Sequence, residues 1–130
     1  MQKKINVSVI IVNYKVKNQL FSLLDSIYKS KPKSSFEIIV VDNDDKDVIS
    51  KDLKKKFNKV KYVKSPGNIG YGAGNNLGVL NSNGEYMLVL NPDTIFQNNV
   101  IDTLYQFLKK SKNVIAVSPI LLKKSGDPYI

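Results

Sequence analysis

The order of apolar and polar residues predicts strands and helices that alternate along the chain. Largely apolar runs at Val7–Val12, Phe36–Val41 and Tyr86–Leu90 predict strands that are covered on both faces. A shorter run at Val60–Val63 alternates polar and apolar positions, which predicts a strand at an edge of the sheet. Another apolar run, Val114–Val117, predicts the start of a fifth strand.

Apolar residues at helical spacing predict what lies between these strands. We expect helices at Lys17–Lys29, at Asp47–Phe57, from a glycine-rich stretch to near Asn81, and at Asn98–Lys110. Strand and helix alternate at distances that fit right-handed βαβ crossovers. The pattern therefore predicts an α/β fold with a mostly parallel sheet and helices on both faces, in a single domain over residues 1–130.

Composition narrows the chemistry that this fold can perform. The chain of 130 residues has no cysteine and no histidine. Disulfides, thiolate metal sites and imidazole bases are therefore excluded. Any catalysis must rest on carboxylates, amides, hydroxyls, lysines or a metal bound through oxygen.

The net charge of +9 raises the question of a nucleic-acid partner. All twenty basic residues are lysines, and none lies between Ser65 and Leu108. Without arginine the chain lacks the fork that reads guanine and phosphate, so we expect no nucleic-acid partner. We interpret the charge as solvated surface, with an anionic membrane or polyanionic acceptor as the alternative.

The first apolar run is too short to span a membrane and has no signal-peptide cleavage pattern, which favours a cytoplasmic location.

Polar residues follow each predicted strand, where open parallel sheets bind their ligands. Asn13 and Tyr14 end the first strand, and Asp42 ends the second. Asp42 suits a carboxylate that accepts N–H bonds from a base, and Tyr14 suits a ring that packs on that base. The structural alternative is that Asp42 and Asn13 close turns and Tyr14 covers the sheet edge. We interpret Asp44 and Asp45 as solvated turn or capping residues.

A glycine-rich stretch, Gly67–Gly78, leads into the third predicted helix. So many glycines at a helix entrance are unfavourable unless the backbone turns tightly or approaches a ligand closely. Free N–H groups at a helix start also favour a phosphate. Asn75 stands where a dinucleotide fingerprint requires its third glycine, so that motif is not matched. The alternative is a flexible turn with close helix packing at Gly74 and Gly78.

The most specific signal is Asn91, Pro92 and Asp93, directly after the fourth predicted strand. Pro92 fixes the loop backbone and stops the strand, so the sheet end would present Asp93 outward. An exposed carboxylate on a rigid platform suits Mg²⁺ or Mn²⁺, which also bind phosphate oxygens. The alternative is an ordinary turn that Asp93 caps.

Together these segments resemble the family 2 glycosyltransferases of the GT-A fold, especially bacterial members that elongate surface polysaccharides with rhamnose-like sugars. The resemblance rests on Val7–Tyr14, Ile39–Asn43, Gly67–Gly78 and Leu88–Thr94, in the order and spacing of the family. It implies that this chain is the Rossmann-like, nucleotide-binding half of a cytoplasmic enzyme of polysaccharide biosynthesis. It also implies that this enzyme binds a divalent metal.

The resemblance also implies roles for individual residues. Asp93 stands at the last position of the family's Asp-x-Asp motif, which binds the Mg²⁺ or Mn²⁺ that bridges the diphosphate; Asn91 replaces the first acid. Asn13, Tyr14 and Asp42 would line the base and ribose pocket. The residues that would flank the nucleotide and its phosphates are Asn68, Gly70, Tyr71, Gly72, Asn76 and Asn91.

The implied reaction transfers a sugar, with inversion, from a UDP- or dTDP-sugar to a glycan or lipid-linked acceptor. We also expect the protein to associate peripherally with the inner face of the membrane. The family's catalytic base lies well downstream of Asp-x-Asp, so we expect it beyond Ile130. Neither Asp102 nor Asp127 fits that role, and we expect donor binding with little or no transfer. The alternative is a non-catalytic nucleotide-binding module.

Overall fold

The computed structural model describes residues 4–46 and 48–129. Within them, four strands form one sheet in the order β3-β2-β1-β4, and all three strand pairs are parallel. The predicted α/β class with a parallel sheet is therefore confirmed. The strands are β1 (Ile5–Asn13), β2 (Phe36–Asp42), β3 (Lys61–Lys64) and β4 (Gly84–Leu90).

Four helices connect and follow these strands: α1 (Lys17–Lys29), α2 (Ser50–Lys56), α3 (Tyr71–Leu80) and α4 (Val100–Lys110). The first helix has the predicted bounds. The predicted start of the second, Asp47, lies outside the described residues, and the helix begins at Ser50. Helical spacing also predicts Val48 on the apolar face of this helix, but Val48 is exposed. No helix in the described ranges is long and apolar enough to cross a bilayer.

The two faces of the sheet carry separate cores, which confirms helices on both faces. On one face, buried residues of β1 and β2 pack with α1, α2 and α4 in the larger cluster. On the other face, Val12, Ile39 and Val41 are buried with Leu77 of α3 against them. Both faces of the two central strands are thus covered, which explains their nearly unbroken apolar runs.

Close packing of α3 explains two of its glycines. A Cβ at Gly74 would lie 3.0 Å from both γ-carbons of Val12, and one at Gly78 would overlap the Ile10 side chain. The predicted packing role of Gly74 and Gly78 is confirmed. Because these contacts fix α3 on β1, they also fix the glycine-rich loop that precedes it.

Two expectations about strands are wrong, and both concern the β4 side of the sheet. β4 is an edge strand, and Met87 and Val89 on its α3 side are 42% and 45% exposed rather than buried. Residues Val114–Val117 form no strand. An apolar run favours a strand, but a strand also needs a partner to bond its backbone, and these residues have no ladder partner in the described chain.

Asp102 ties α4 to the loop before β2. Its carboxylate accepts bonds from the backbone N–H groups of Lys33 at 2.8 Å and Ser34 at 2.9 Å, and Asn99 caps the helix by accepting from the Asp102 N–H. Burial alone would raise the pKa of Asp102, but these donors outweigh it and lower the pKa from 3.8 to about 2. Asp102 therefore holds α4 against the loop before β2.

We expect Asp102→Asn to lower the free energy of unfolding by about 2 kcal/mol at pH 7, because an amide cannot replace the carboxylate toward both N–H groups. Since the folded pKa lies below the ordinary 3.8, this stabilisation is complete above pH 3.8 and is lost as the pH falls toward 2. Urea unfolding at pH 7 and at pH 2 measures both values. The matched control is Asp25→Asn, which removes an exposed ion pair with Lys56 and should cost less than about 1 kcal/mol. An equal loss in the two variants at pH 7 would refute the assignment.

Candidate functional site

The carboxyl ends of β1 and β2 bring two predicted site residues into contact. Asn13 and Asp42 are register partners, and the Asn13 Nδ2 donates to Asp42 Oδ1 at 2.9 Å. Both side chains are fully buried. The two predicted residues therefore lie together at the strand ends, as a hydrogen-bonded pair that is buried in the protein.

Donors of the protein lie beside both oxygens of the Asp42 carboxylate. Oδ1 accepts from Asn13 and, at 3.3 Å, from the backbone N–H of Asp44. Oδ2 accepts from the Tyr62 hydroxyl at 3.0 Å and lies 3.8 Å from the Lys64 ammonium, both on the edge strand β3. Such donors offset the cost of burying a carboxylate.

Asp44 is a turn residue, as predicted, but it is not solvated. It is only 6% exposed; its Oδ1 accepts from the Lys46 N–H at 3.2 Å, and its backbone oxygen accepts from Lys64. Asp45 is exposed, as predicted. The acidic segment after β2 is thus partly folded into the strand ends.

The glycine-rich loop reaches the same edge of the sheet through Asn43. The Asn43 Nδ2 donates to the backbone oxygen of Gly70 at 3.0 Å, and the Asn68 side chain accepts from the Gly70 N–H at 3.1 Å. Gly70 has φ +83° and Gly67 has φ +127°, a region that favours glycine. Positive φ therefore accounts for two of the glycines in the loop.

The start of α3 offers backbone donors to solvent. Gly70 occupies the cap position and provides no side-chain cap, so the first N–H groups of the helix have no partner from that residue. A Cβ at Gly72 would meet nothing within 4 Å, and Tyr71 and Asn76 are exposed. This helix start can accept an anion.

Asp93 lies in a turn directly beyond β4. The turn is closed by Thr94, whose N–H and hydroxyl both donate to the Asn91 backbone oxygen, at 3.2 and 2.8 Å. Asn91 and Asp93 are exposed. The outward placement predicted for Asp93 is what the structure has.

Tyr14 and Lys15 form the exposed rim beside these residues. Tyr14 is 40% exposed, and the Lys15 ammonium lies 4.9 Å from the centre of its ring. A hydrogen bond to Tyr14 raises the pKa of Lys15, and the negative charges of Asp44 and Asp45 add to this. Lys15 also adopts φ +59°, which is uncommon for a residue with a side chain. The positive charge of Lys15 therefore lies at the edge of the sheet where the strands have their carboxyl ends.

Buried amide oxygens at this edge lack hydrogen-bond donors. In the described part of the chain, the buried side-chain atoms without a partner are Asn13 Oδ1, Asn43 Oδ1 and Asn75 Oδ1. A buried acceptor left unpaired costs about 1–3 kcal/mol. Two of them stand at the ends of the neighbouring central strands, so a ligand with N–H or hydroxyl donors would find unpaired acceptors there once this edge opens.

The ten predicted site residues divide by exposure. Asn13 and Asp42 are buried, whereas the others lie exposed around the same edge: Tyr14, Asn68, Gly70, Tyr71, Gly72, Asn76, Asn91 and Asp93. Sequence reasoning missed Asn43, Tyr62 and Lys15 as members of the site. Asn43 follows Asp42 directly and could have been included, but no sequence pattern signals the contact of Tyr62, twenty residues away, with Asp42.

Two surface depressions lie elsewhere. One, of about 390 Å³, is lined by Phe21, Asp52, Lys55 and Lys56; the other, of about 530 Å³, lies near the starts of β1 and β2, around Ser35. Neither includes a predicted site residue. The polar chemistry of the strand-end edge, rather than either of these two depressions, therefore marks the candidate site.

Comparison with protein families and curated proteins gives a consistent result. The model described as Glycosyl transferase family 2 matches residues 8–129. The low-salt glycan biosynthesis hexosyltransferase Agl10 of Haloferax volcanii is 35% identical over 129 residues, which are 95% of this chain and 39% of that protein. The glycosyltransferase GlyA of Streptococcus pneumoniae is 30% identical over 114 residues. This chain therefore spans well under half the length of these relatives.

Solved structures match the fold. S. aureus TarS superposes with a TM-score of 0.71 and 24% identity over 92% of this chain and 40% of that one. TarS in complex with UDP gives a TM-score of 0.70 and 26% identity over 81% of this chain and 32% of that one. These likenesses confirm the predicted Rossmann-like fold of GT-A type.

Proposed function

This chain belongs to glycosyl transferase family 2, and on that premise we propose that its strand-end edge binds the nucleoside diphosphate of a nucleotide-sugar donor. The unpaired, buried acceptors Asn13 Oδ1 and Asn43 Oδ1 carry the proposal. A nucleobase and a ribose both present N–H or hydroxyl donors, which would satisfy such oxygens. TarS, whose structure with UDP matches this chain, supports a uridine nucleotide as the first ligand to test.

Base and ribose would bind between the rim and the strand ends. The exposed ring of Tyr14 offers a face on which a base can pack, and the buried Asp42 would offer its carboxylate to a ring N–H once this edge opens. Asn91 and Asn68, both exposed, would flank the nucleotide on the loops beyond β4 and β3. This arrangement assigns base recognition to the central strands and leaves the loops for the phosphates.

The phosphates would bind at the start of α3. The uncapped helix start, the open space at Gly72 and the exposed Tyr71 and Asn76 support this placement. Backbone N–H groups at a helix start stabilise a phosphate through direct bonds and through the helix dipole. Close packing of Gly74 on β1 would hold these donors in place.

A divalent cation fits this edge only together with the diphosphate. Within residues 4–46 and 48–129 no group of three or more acidic side chains could hold a metal by itself. Mg²⁺ and Mn²⁺ commonly bind one or two carboxylates plus substrate phosphates, and Asp93 supplies one exposed carboxylate. The structure of a mannosyltransferase from Pyrobaculum calidifontis with GDP-Man and Mn²⁺ supports such a metal (TM-score 0.67, 21% identity). When bound, the cation would neutralise the charge of the departing diphosphate.

The proposed reaction is inverting transfer of the sugar to the hydroxyl of a glycan or lipid-linked acceptor. The chain's own part in it is to hold the donor, through Asp93 and the start of α3. Asp102 is tied to the loop before β2, and the Asp127 carboxylate accepts from Ser125 in the exposed C-terminal segment. We therefore assign no general base among the described residues.

Peripheral association with an anionic membrane is part of the proposal. The exposed lysines of α2, at positions 51 and 54–56, support it, since each lysine near an anionic surface adds to the attraction. Lys56 also pairs with Asp25, so part of this charge is neutralised within the protein.

Calorimetric titration with UDP, dTDP and GDP, in Mg²⁺, Mn²⁺ or EDTA, tests the proposed function. We expect at least one of these nucleotides to bind, with an affinity at least about tenfold higher in the metal than in EDTA, a difference of about 1.4 kcal/mol. The absence of binding by all three nucleotides at about 10 mM, where a dissociation constant near 1 mM would still be measured, would overturn it.

A further inference from the structure

We propose that the Tyr62 hydroxyl occupies the acceptor position on Asp42 that a nucleobase N–H takes, so that donor binding exchanges one hydrogen bond for the other. Tyr62 would thereby set the affinity of the site for its base. This inference rests on the proposed function, and it explains how a carboxylate without exposed surface can belong to a binding site.

The burial of Asp42 is the first step of the argument. Its side chain is fully buried, so no ligand reaches it without a rearrangement. Oδ1 is held by Asn13, on the neighbouring central strand, and by the N–H of Asp44, two residues away in the chain. These donors belong to the closed, central part of the sheet, so Oδ1 is the fixed side of the carboxylate.

Oδ2 is the exchangeable side. Its partner at hydrogen-bond distance is the Tyr62 hydroxyl, 3.0 Å away, while the Lys64 ammonium is 3.8 Å away and also donates to the Asp44 backbone oxygen. Both residues belong to β3, a four-residue strand at the edge of the sheet. The Tyr62 ring packs against the larger core cluster, so its hydroxyl would leave Oδ2 by a swing of the whole ring about χ1, which leaves the backbone pairing of β3 intact.

Exchange has a consequence for affinity. A nucleobase N–H that replaces the Tyr62 hydroxyl gains only the difference between two similar hydrogen bonds to the same oxygen. Removing the hydroxyl leaves Oδ2 short of a donor in the free protein, so the ligand then gains the whole bond. Tyr62→Phe should therefore bind a base-containing ligand more tightly than the wild type does.

The test compares wild type, Tyr62→Phe and the control Tyr28→Phe by calorimetry with UDP and, separately, with inorganic pyrophosphate, in Mg²⁺. Tyr28 is a matched tyrosine that stacks on Phe57, away from the strand ends. We expect Tyr62→Phe to bind UDP about three- to tenfold more tightly, the factor of one net hydrogen bond, with pyrophosphate binding unchanged. Tyr28→Phe should match the wild type with both ligands.

A second readout uses the unaltered protein, in case Tyr62→Phe folds poorly. With tyrosine labelled with ¹³C at the ring carbon that bears the hydroxyl, the Tyr62 signal should shift when UDP is added and stay in place with pyrophosphate. Equal or weaker UDP binding by a folded Tyr62→Phe, or an unmoved Tyr62 signal at saturation, overturns the inference and leaves the proposed function standing. If UDP does not bind, the same comparison is made with whichever of dTDP and GDP binds; no binding of any of the three by either the wild type or Tyr62→Phe overturns both.

Discussion

Asp93→Ala is expected to remove the metal dependence of nucleotide binding while the fold stays intact. Asp93 is exposed in a turn whose bonds come from Asn91 and Thr94, so the folded protein does not rely on its carboxylate. In the presence of Mn²⁺, we expect UDP binding to weaken about ten- to a hundredfold, since even indirect partners of a metal commonly contribute that much. Binding in EDTA should not change, and calorimetry in the two buffers measures the difference.

Two matched variants show whether the charge at this position is what matters. Asp93→Asn keeps the shape and loses the charge, so it should behave like Asp93→Ala. Asp25→Ala removes an exposed carboxylate from α1 and should leave the Mn²⁺ effect at its wild-type size. If Asp93→Ala retained the full enhancement by Mn²⁺, the metal would have to be held elsewhere, and the assignment would fail.

The second large effect is expected on stability, from the glycines of α3. Gly78→Ala should lower the free energy of unfolding by about 1–3 kcal/mol, because its Cβ would overlap Ile10, a fully buried branched side chain. Gly72→Ala meets open space within the same helix and should be neutral or stabilising by up to about 1 kcal/mol. Gly74→Ala, with contacts at 3.0 Å, should fall between them.

Urea unfolding of these three alanine variants gives the order directly. The expected order of stability is Gly72→Ala above Gly74→Ala above Gly78→Ala. If the Gly78→Ala and Gly72→Ala variants were equally stable, α3 would not be packed on β1 as described. The position of the proposed phosphate-binding loop depends on that packing, so this outcome would also weaken the functional proposal.

Much of the fold could be predicted because it depends on local patterns. The central strands β1 and β2 are covered on both faces, so their apolar runs identify them, and α1 has one apolar face at helical spacing. The pattern fails at β4, where the run Tyr86–Leu90 is just as apolar but lies at an edge. An apolar run indicates that both faces of a strand can be buried. The position of that strand in the sheet depends on neighbouring strands that are distant in the chain. The same reason explains the missing strand at Val114–Val117.

The candidate site could be predicted from the sequence only in part. Polar residues at strand ends and glycines at a helix start are local signals, and they marked Asn13, Asp42 and Gly70. The closure of Asp42 by Tyr62 joins two strands and could not be read from the spacing. The burial of Asp42 is thus a property of the folded sheet. The sequence predicts a carboxylate that is ready to accept a ligand, whereas in the structure the site must open before a ligand can reach it.

The most direct test of the central claim is to locate the metal in solution by its paramagnetic effect on the ¹H–¹⁵N NMR spectrum of the wild type. With UDP present, Mn²⁺ should broaden the amide signals of Asp93 and of residues 70–72 at the start of α3, while those of α2 remain sharp. Without UDP, the broadening at Asp93 should be much weaker, because one carboxylate alone holds the ion poorly. Broadening confined to other acidic residues, with sharp signals at Asp93 and at the start of α3, would contradict the account.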